Sequence, residues 1–190
     1  MKSSNPIPPN HLKVLGKIVV GISTLERHVI FTIKLCSSIQ THGELACLVG
    51  SESLDVLTKK LDKLVKFMLR DELDMLAEFT KIRTLLTDIN DARNRYIHSW
   101  WKQTPSKLVH RRKFLRSVKI GDRLEDYELV SMEALNKLVG DIGNATNLLL
   151  DFLDQHLEAI KKAILRRKSE PDIHYVDFYS IPGIEETFPK

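Results

Sequence analysis

The sequence predicts an all-α protein, an up-and-down bundle of four long helices with a short basic β-hairpin-like insertion before the last. Three observations carry that expectation. Apolar residues recur at spacings of three and four through most of 11–168, which is the period of a helix with one buried face. Glycine and proline are sparse, at 8 and 7 residues, and every proline except Pro105 lies near an end, so long stretches run without a helix breaker. Residues 106–130 drop the helical period for two β-prone runs around Gly121 and Asp122, the pattern of a loose hairpin.

A chain of 190 residues suits one domain with a sizeable core. It divides into an extended leader (1–10), a helical domain (11–168, with the insertion at 105–130) and an extended tail (169–190) that carries Tyr175, Phe178, Tyr179 and Phe188. The 43% hydrophobic and 28% charged content is that of an ordinary soluble domain. The leader, M-K-S-S-N-P-I-P-P-N, lacks the apolar core of a signal peptide. The run V-L-G-K-I-V-V-G-I is too short for a membrane span and contains Lys17. A cytoplasmic protein with no membrane contact is expected. Cys36 and Cys47 have no zinc spacing and read as buried free thiols.

Each element has its own local reason. The first helix is expected over 11–41, capped by Asn10, on a stripe of Leu15, Ile18, Ile22, Leu25, Val29, Ile33 and Cys36 that Val19, Val20 and Phe31 widen. Gly16 and Gly21 would let another helix approach closely. Residues 43–50 read as a short connection with a buried turn around Cys47. Ser51 or Ser53 caps the second helix, whose stripe is Leu54, Leu57, Leu61, Leu64 and Met68 against a solvated face of Lys59, Lys60, Lys63 and Lys66. A tight turn or kink around Asp71 follows. Asp71, Glu72 and Asp74 complement the dipole at the start of the third helix, which is expected to end near Trp101. Ser131 caps a fourth helix to about Lys168, with His156 in its apolar stripe as a hydrogen-bonded core histidine. His28 and His42 have no ligand-like partner in the sequence.

The third helix ends in the most informative stretch of the chain, D-I-N-D-A-R-N-R-Y-I-H-S-W-W over 88–101. Met75, Phe79, Ile82, Leu86 and Ile89 form its stripe, and the same rhythm continues to Arg93 and Tyr96. An arginine in an apolar stripe is costly unless a partner or ligand meets its guanidinium. Asn94 and His98, four apart, share the next face. Arg93 and His98 lie about 140° apart on an ideal helix, so they meet on one phosphate only if the helix bends near Ile97 or a second chain contributes. Trp100 and Trp101 read as packing residues.

Arg93, Asn94 and His98 match the R-N-x-x-x-H signature of the HEPN superfamily, which this chain resembles: small all-helical domains, many of them metal-independent endoribonucleases. The resemblance spans roughly 10–166, but its function rests on the motif alone. It implies catalysis by Arg93, Asn94 and His98 with no cofactor and no metal, RNA as substrate, and a role as a toxin or phage-defence effector. It also admits an antitoxin or a nucleotidyltransferase as partner. The tyrosine that one subgroup carries two places after the histidine is replaced by Trp100, so nucleotidylation there is not implied. The same family contains non-catalytic nucleotide-binding and protein-interaction modules, which is the alternative reading.

Charge adds an RNA expectation. The net charge is +4, and residues 102–121 hold seven Lys or Arg and no Asp or Glu. Lys102, Arg111, Arg112, Lys113 and Arg116 are the candidate RNA-backbone contacts, with His110 among them as an auxiliary phosphate contact or, more simply, an exposed bystander. The cluster at 161–168 reads instead as late-helix cations complementing the dipole. A homodimer is expected, since one histidine cannot be acid and base at once and a two-fold axis supplies a second. No P-loop, dinucleotide-binding, H-E-x-x-H or G-x-S-x-G motif occurs.

Overall fold

The computed structural model describes residues 7–37, 39, 41–103, 109–114 and 125–168. Leader residues 1–6, the turn expected at Gly121 and Asp122, and the tail 169–190 lie outside the described residues. The described chain is predominantly helical. It contains α1 (Pro9–Ser37), α2 (His42–Val49), α3 (Leu54–Met68), α4 (Leu73–Ile97), β1 (Trp100–Gln103), β2 (Val109–Phe114), β3 (Glu125–Leu129) and α5 (Met132–Lys168).

α1 begins one residue before its expected cap. Pro9 occupies the first helical position, where a missing N–H costs nothing, and Pro8 O accepts from the amides of His11 and Leu12. The buried stripe is Val14, Ile18, Ile22, Leu25, Val29, Ile33 and Cys36. Val14 takes the buried place expected for Leu15, and Val19, Val20 and Phe31 are exposed rather than widening the stripe. The stretch expected as a connection is α2. Thr41 and Glu44 close a capping box, the Glu44 amide donating to Thr41 Oγ1 and the Thr41 amide to Glu44 Oε2, each at 3.2 Å. Cys47 is exposed on this helix, not buried in a turn. Lys60, expected in solvent, clamps α2 to α3 by donating to Leu48 O and Glu52 Oε1 at 2.5 and 2.8 Å.

α3 and α4 are joined by a tight turn in which the Glu72 amide donates to Leu69 O at 2.8 Å. Asp71 and Glu72 sit at the head of α4 and also face Arg166 of α5, at 3.7 and 4.0 Å. α5 starts as expected, the Ala134 amide donating to Ser131 Oγ at 3.1 Å.

The four long helices pack in a ring: α1 lies against α3 and α5, and α4 closes the circuit against the same two. Their stripes meet in one core that includes Leu25, Leu57, Leu86 and Leu149, with the Phe79 and Phe152 rings 5.6 Å apart at its α4–α5 side. His156 is half-buried there, edge-on to Phe152 and 2.9 Å from Glu78 Oε2, a satisfied polar group at the rim of the core.

Between α4 and α5 the chain forms a three-stranded antiparallel sheet, ordered β1-β2-β3. The third helix therefore stops at Ile97 and not at Trp101. Trp100 and Trp101 pair with Arg112 and Arg111 as strand residues. Trp101 secures the sheet to the helix end: its Nε1 donates to Tyr96 O at 3.0 Å, and the two rings lie 6.3 Å apart.

Candidate functional site

α4 carries Arg93 just before its last turn and Asn94 at the start of that turn, and delivers His98 at its C-cap, with φ −92° and ψ 19°. The α-helix continues through Ile97, so Arg93 and its neighbours keep helical spacing up to the residue before His98. By helical arithmetic the two stay roughly 140° apart. Arg93 and Asn94 are half-buried and His98 is exposed. Among the described residues none of the three side chains forms a hydrogen bond or ion pair. A half-buried guanidinium without a carboxylate is the arrangement that leaves binding capacity for an anion.

Below the motif, Asn90 is 5% exposed and its Oδ1 has no hydrogen-bond partner among the described residues. Asn90, Asn94 and His98 are each four apart, so a polar row climbs one face of α4 from the core to solvent. Sequence reading passed over Asn90, although its four-residue spacing from Asn94 was the available signal.

The candidate RNA-binding residues divide. Arg111 is 5% exposed. It sits opposite Glu128 in the β2–β3 register, donating from Nε to Glu128 Oε2 at 2.5 Å and also through Nη2 to the same oxygen. Trp101, Arg111 and Glu128 share one row, hence one face of the sheet. This arginine is an internal ion-pair partner, and not part of an open cationic face. The side chains of Lys102, His110, Arg112 and Lys113, and all of Arg116, lie outside the described residues.

Glu128 also reaches α4. Its Oε1 lies 3.9 Å from Arg95 Nη1, beyond hydrogen-bond range. Ser99 is buried and donates its hydroxyl to Arg95 O. Arg95 precedes His98 by three residues and therefore shares its side of the helix, a relationship that the R-N-x-x-x-H pattern hides.

Among the described residues no three His, Cys, Asp or Glu side chains are grouped to hold a metal ion, and no helix is long and apolar enough to cross a membrane. Compared with family models, curated proteins and solved structures, the chain finds no match in any of the three.

Proposed function

We propose that this chain is a metal-independent endoribonuclease of HEPN type, built on an up-and-down four-helix bundle with a basic insertion and working in the cytoplasm as a homodimer. The observation that carries the reading is Arg93: half-buried on α4, without an ionic partner among the described residues, five residues before an exposed histidine. A toxin or phage-defence role, with an antitoxin or nucleotidyltransferase as partner, follows from the same family resemblance.

The chemistry needs nothing beyond these side chains and the RNA. His98 of one chain takes the proton from a ribose 2′-hydroxyl. The 2′-oxygen attacks the adjacent phosphorus, the P–O5′ bond breaks, and the second chain's His98 protonates the departing 5′-oxygen. Arg93 neutralises the non-bridging oxygens of the phosphorane, and Asn94 orients the histidine or the phosphate. The products are a 2′,3′-cyclic phosphate and a free 5′-hydroxyl.

The test is a labelled single-stranded RNA incubated in excess EDTA. Wild type should cut it, and RNA with a 2′-deoxy sugar at the cut should resist. Loss of a general acid–base residue costs about 10²–10⁴-fold in rate, so folded His98→Ala should be nearly silent. Arg93→Ala should be similarly impaired, and Arg93→Lys should recover little, since a point charge cannot hold phosphate through a fork. Full activity in folded His98→Ala, or activity abolished by EDTA, refutes the mechanism.

One observation favours a second reading. His98 stands at the C-cap of α4, a position where histidine suits the helix end through the dipole. That role would suit a non-catalytic nucleotide-binding or protein-interaction module, and a wild-type protein inert on every RNA tried would select it.

A further inference from the structure

The motif names Arg93 as the guanidinium that works with His98, yet within one chain the helix assigns that place to another residue. Positions three and four apart are neighbours on a helix surface, and positions five apart are not. Counting back from His98, these neighbours are Arg95 and Asn94. Arg93 is five residues away and round the helix.

Arg95 also has the surroundings of a substrate contact. Its side chain is 56% exposed, as His98 is exposed, so both can reach a ligand arriving from solvent. Its only ion-pair partner among the described residues is Glu128, at 3.9 Å. That carboxylate is already committed through its other oxygen to the buried Arg111. An exposed, over-long ion pair is weak and exchangeable, so a phosphate can replace Glu128 at Arg95 while Arg111 retains the carboxylate. Glu128 thereby serves as a positioning residue. Anchored on the sheet by Arg111, it draws the Arg95 guanidinium towards β3.

We propose that Arg95 is a substrate-contacting residue, binding through its guanidinium the RNA phosphate on which His98 of the same chain acts, with Arg93 serving a phosphate oxygen from the other side of the two-fold site. The inference rests on the ribonuclease reading and adds to it a residue that the motif omits.

Cleavage of the labelled RNA in EDTA tests it, with kcat and KM measured for wild type, Arg95→Gln, Arg95→Lys and, as a distant exposed control on α1, Arg27→Gln. Removing a donor to the developing phosphorane charge costs about 10²-fold, so Arg95→Gln should lose about that factor in kcat/KM, mostly in kcat. Arg95→Lys should regain part of it, because the charge returns without the fork. Arg27→Gln should match wild type. Arg95 is exposed, so unchanged thermal unfolding should accompany the loss. Active wild type with Arg95→Gln within twofold of it overturns this inference and leaves the ribonuclease reading standing. Wild type without cleavage overturns both.

Discussion

Arg111 of β2 and Glu128 of β3 face each other across one row of the sheet, and the buried guanidinium donates from Nε to the carboxylate at 2.5 Å. A buried pair broken on one side leaves the other charge without compensation. Glu128 is about one-third exposed, and water offsets part of that loss. Arg111→Met should therefore destabilise the fold by about 2 kcal/mol, read as a lower urea midpoint. Wild-type stability in Arg111→Met would show the pair to be energetically silent.

The remaining cations of the insertion are the ones to test for RNA backbone binding. Replacing Lys102, Arg112, Lys113 and Arg116 together with glutamine, while keeping Arg111, should weaken binding of single-stranded RNA. Each lost phosphate contact should flatten the log–log salt dependence by about 0.7. A slope equal to that of wild type would show that these residues do not contact the RNA backbone.

Only one of the two glycines expected to permit a close helix approach does so. A Cβ on Gly21 would lie 3.1 Å from Ile142 Cγ2 of α5, whereas a Cβ on Gly16 would meet nothing within 4 Å. Alanine is the better helix former by about 0.5–1 kcal/mol, so Gly16→Ala should raise the melting temperature. Gly21→Ala should lose that gain to the clash with Ile142. Equal stabilisation by both substitutions would contradict the close α1–α5 approach.

Burial pushes the Cys36 thiol up to about 12 from 9.0, while Cys47 is exposed. A thiol reagent at pH 8 should label one cysteine in the native protein and both in denaturant. The folded state prefers the neutral Cys36 thiol, so its contribution is complete below pH 9 and declines as pH rises from 9 towards 12. Alkaline unfolding should accordingly be less steep in Cys36→Ala. Rapid native labelling of both cysteines would contradict the burial.

The proposed two-fold site requires two chains. Sedimentation at micromolar concentration should report twice the chain mass of 21.9 kDa, since a two-fold interface uses the same patch on both partners. A monomer that nevertheless cleaves RNA would remove the need for a second histidine, and with it the composite site.

The sequence by itself determined the four long helices, because each must hide an apolar stripe whose period is written in the chain. The apolar stripes of Ile18 to Cys36, Leu54 to Met68, Met75 to Ile89 and Leu135 to Ile160 are buried, with His156 half-buried among the last. The Ser131 cap and the turn near Asp71 were legible for similarly local reasons. α2 was missed because eight residues are too few to establish a period, although Thr41 and Glu44 carried the capping-box spacing. The motif residues Arg93, Asn94 and His98 were visible as residue types at a spacing, and the helix alone kept Arg93 and His98 on different faces. Tertiary structure decided the rest. Trp101 reads as the close of a helix and becomes strand only because it pairs with Arg111, ten residues on. Arg111 looks like a surface cation until Glu128, seventeen residues later, buries it in an ion pair. Val19, Val20 and Phe31 are as apolar as their buried neighbours, and they remain exposed because no helix of the ring covers that side of α1. Periodicity tells which face of a helix can be buried; the contacts between distant segments decide which cation is spent, which strand forms and which apolar side chain stays in water.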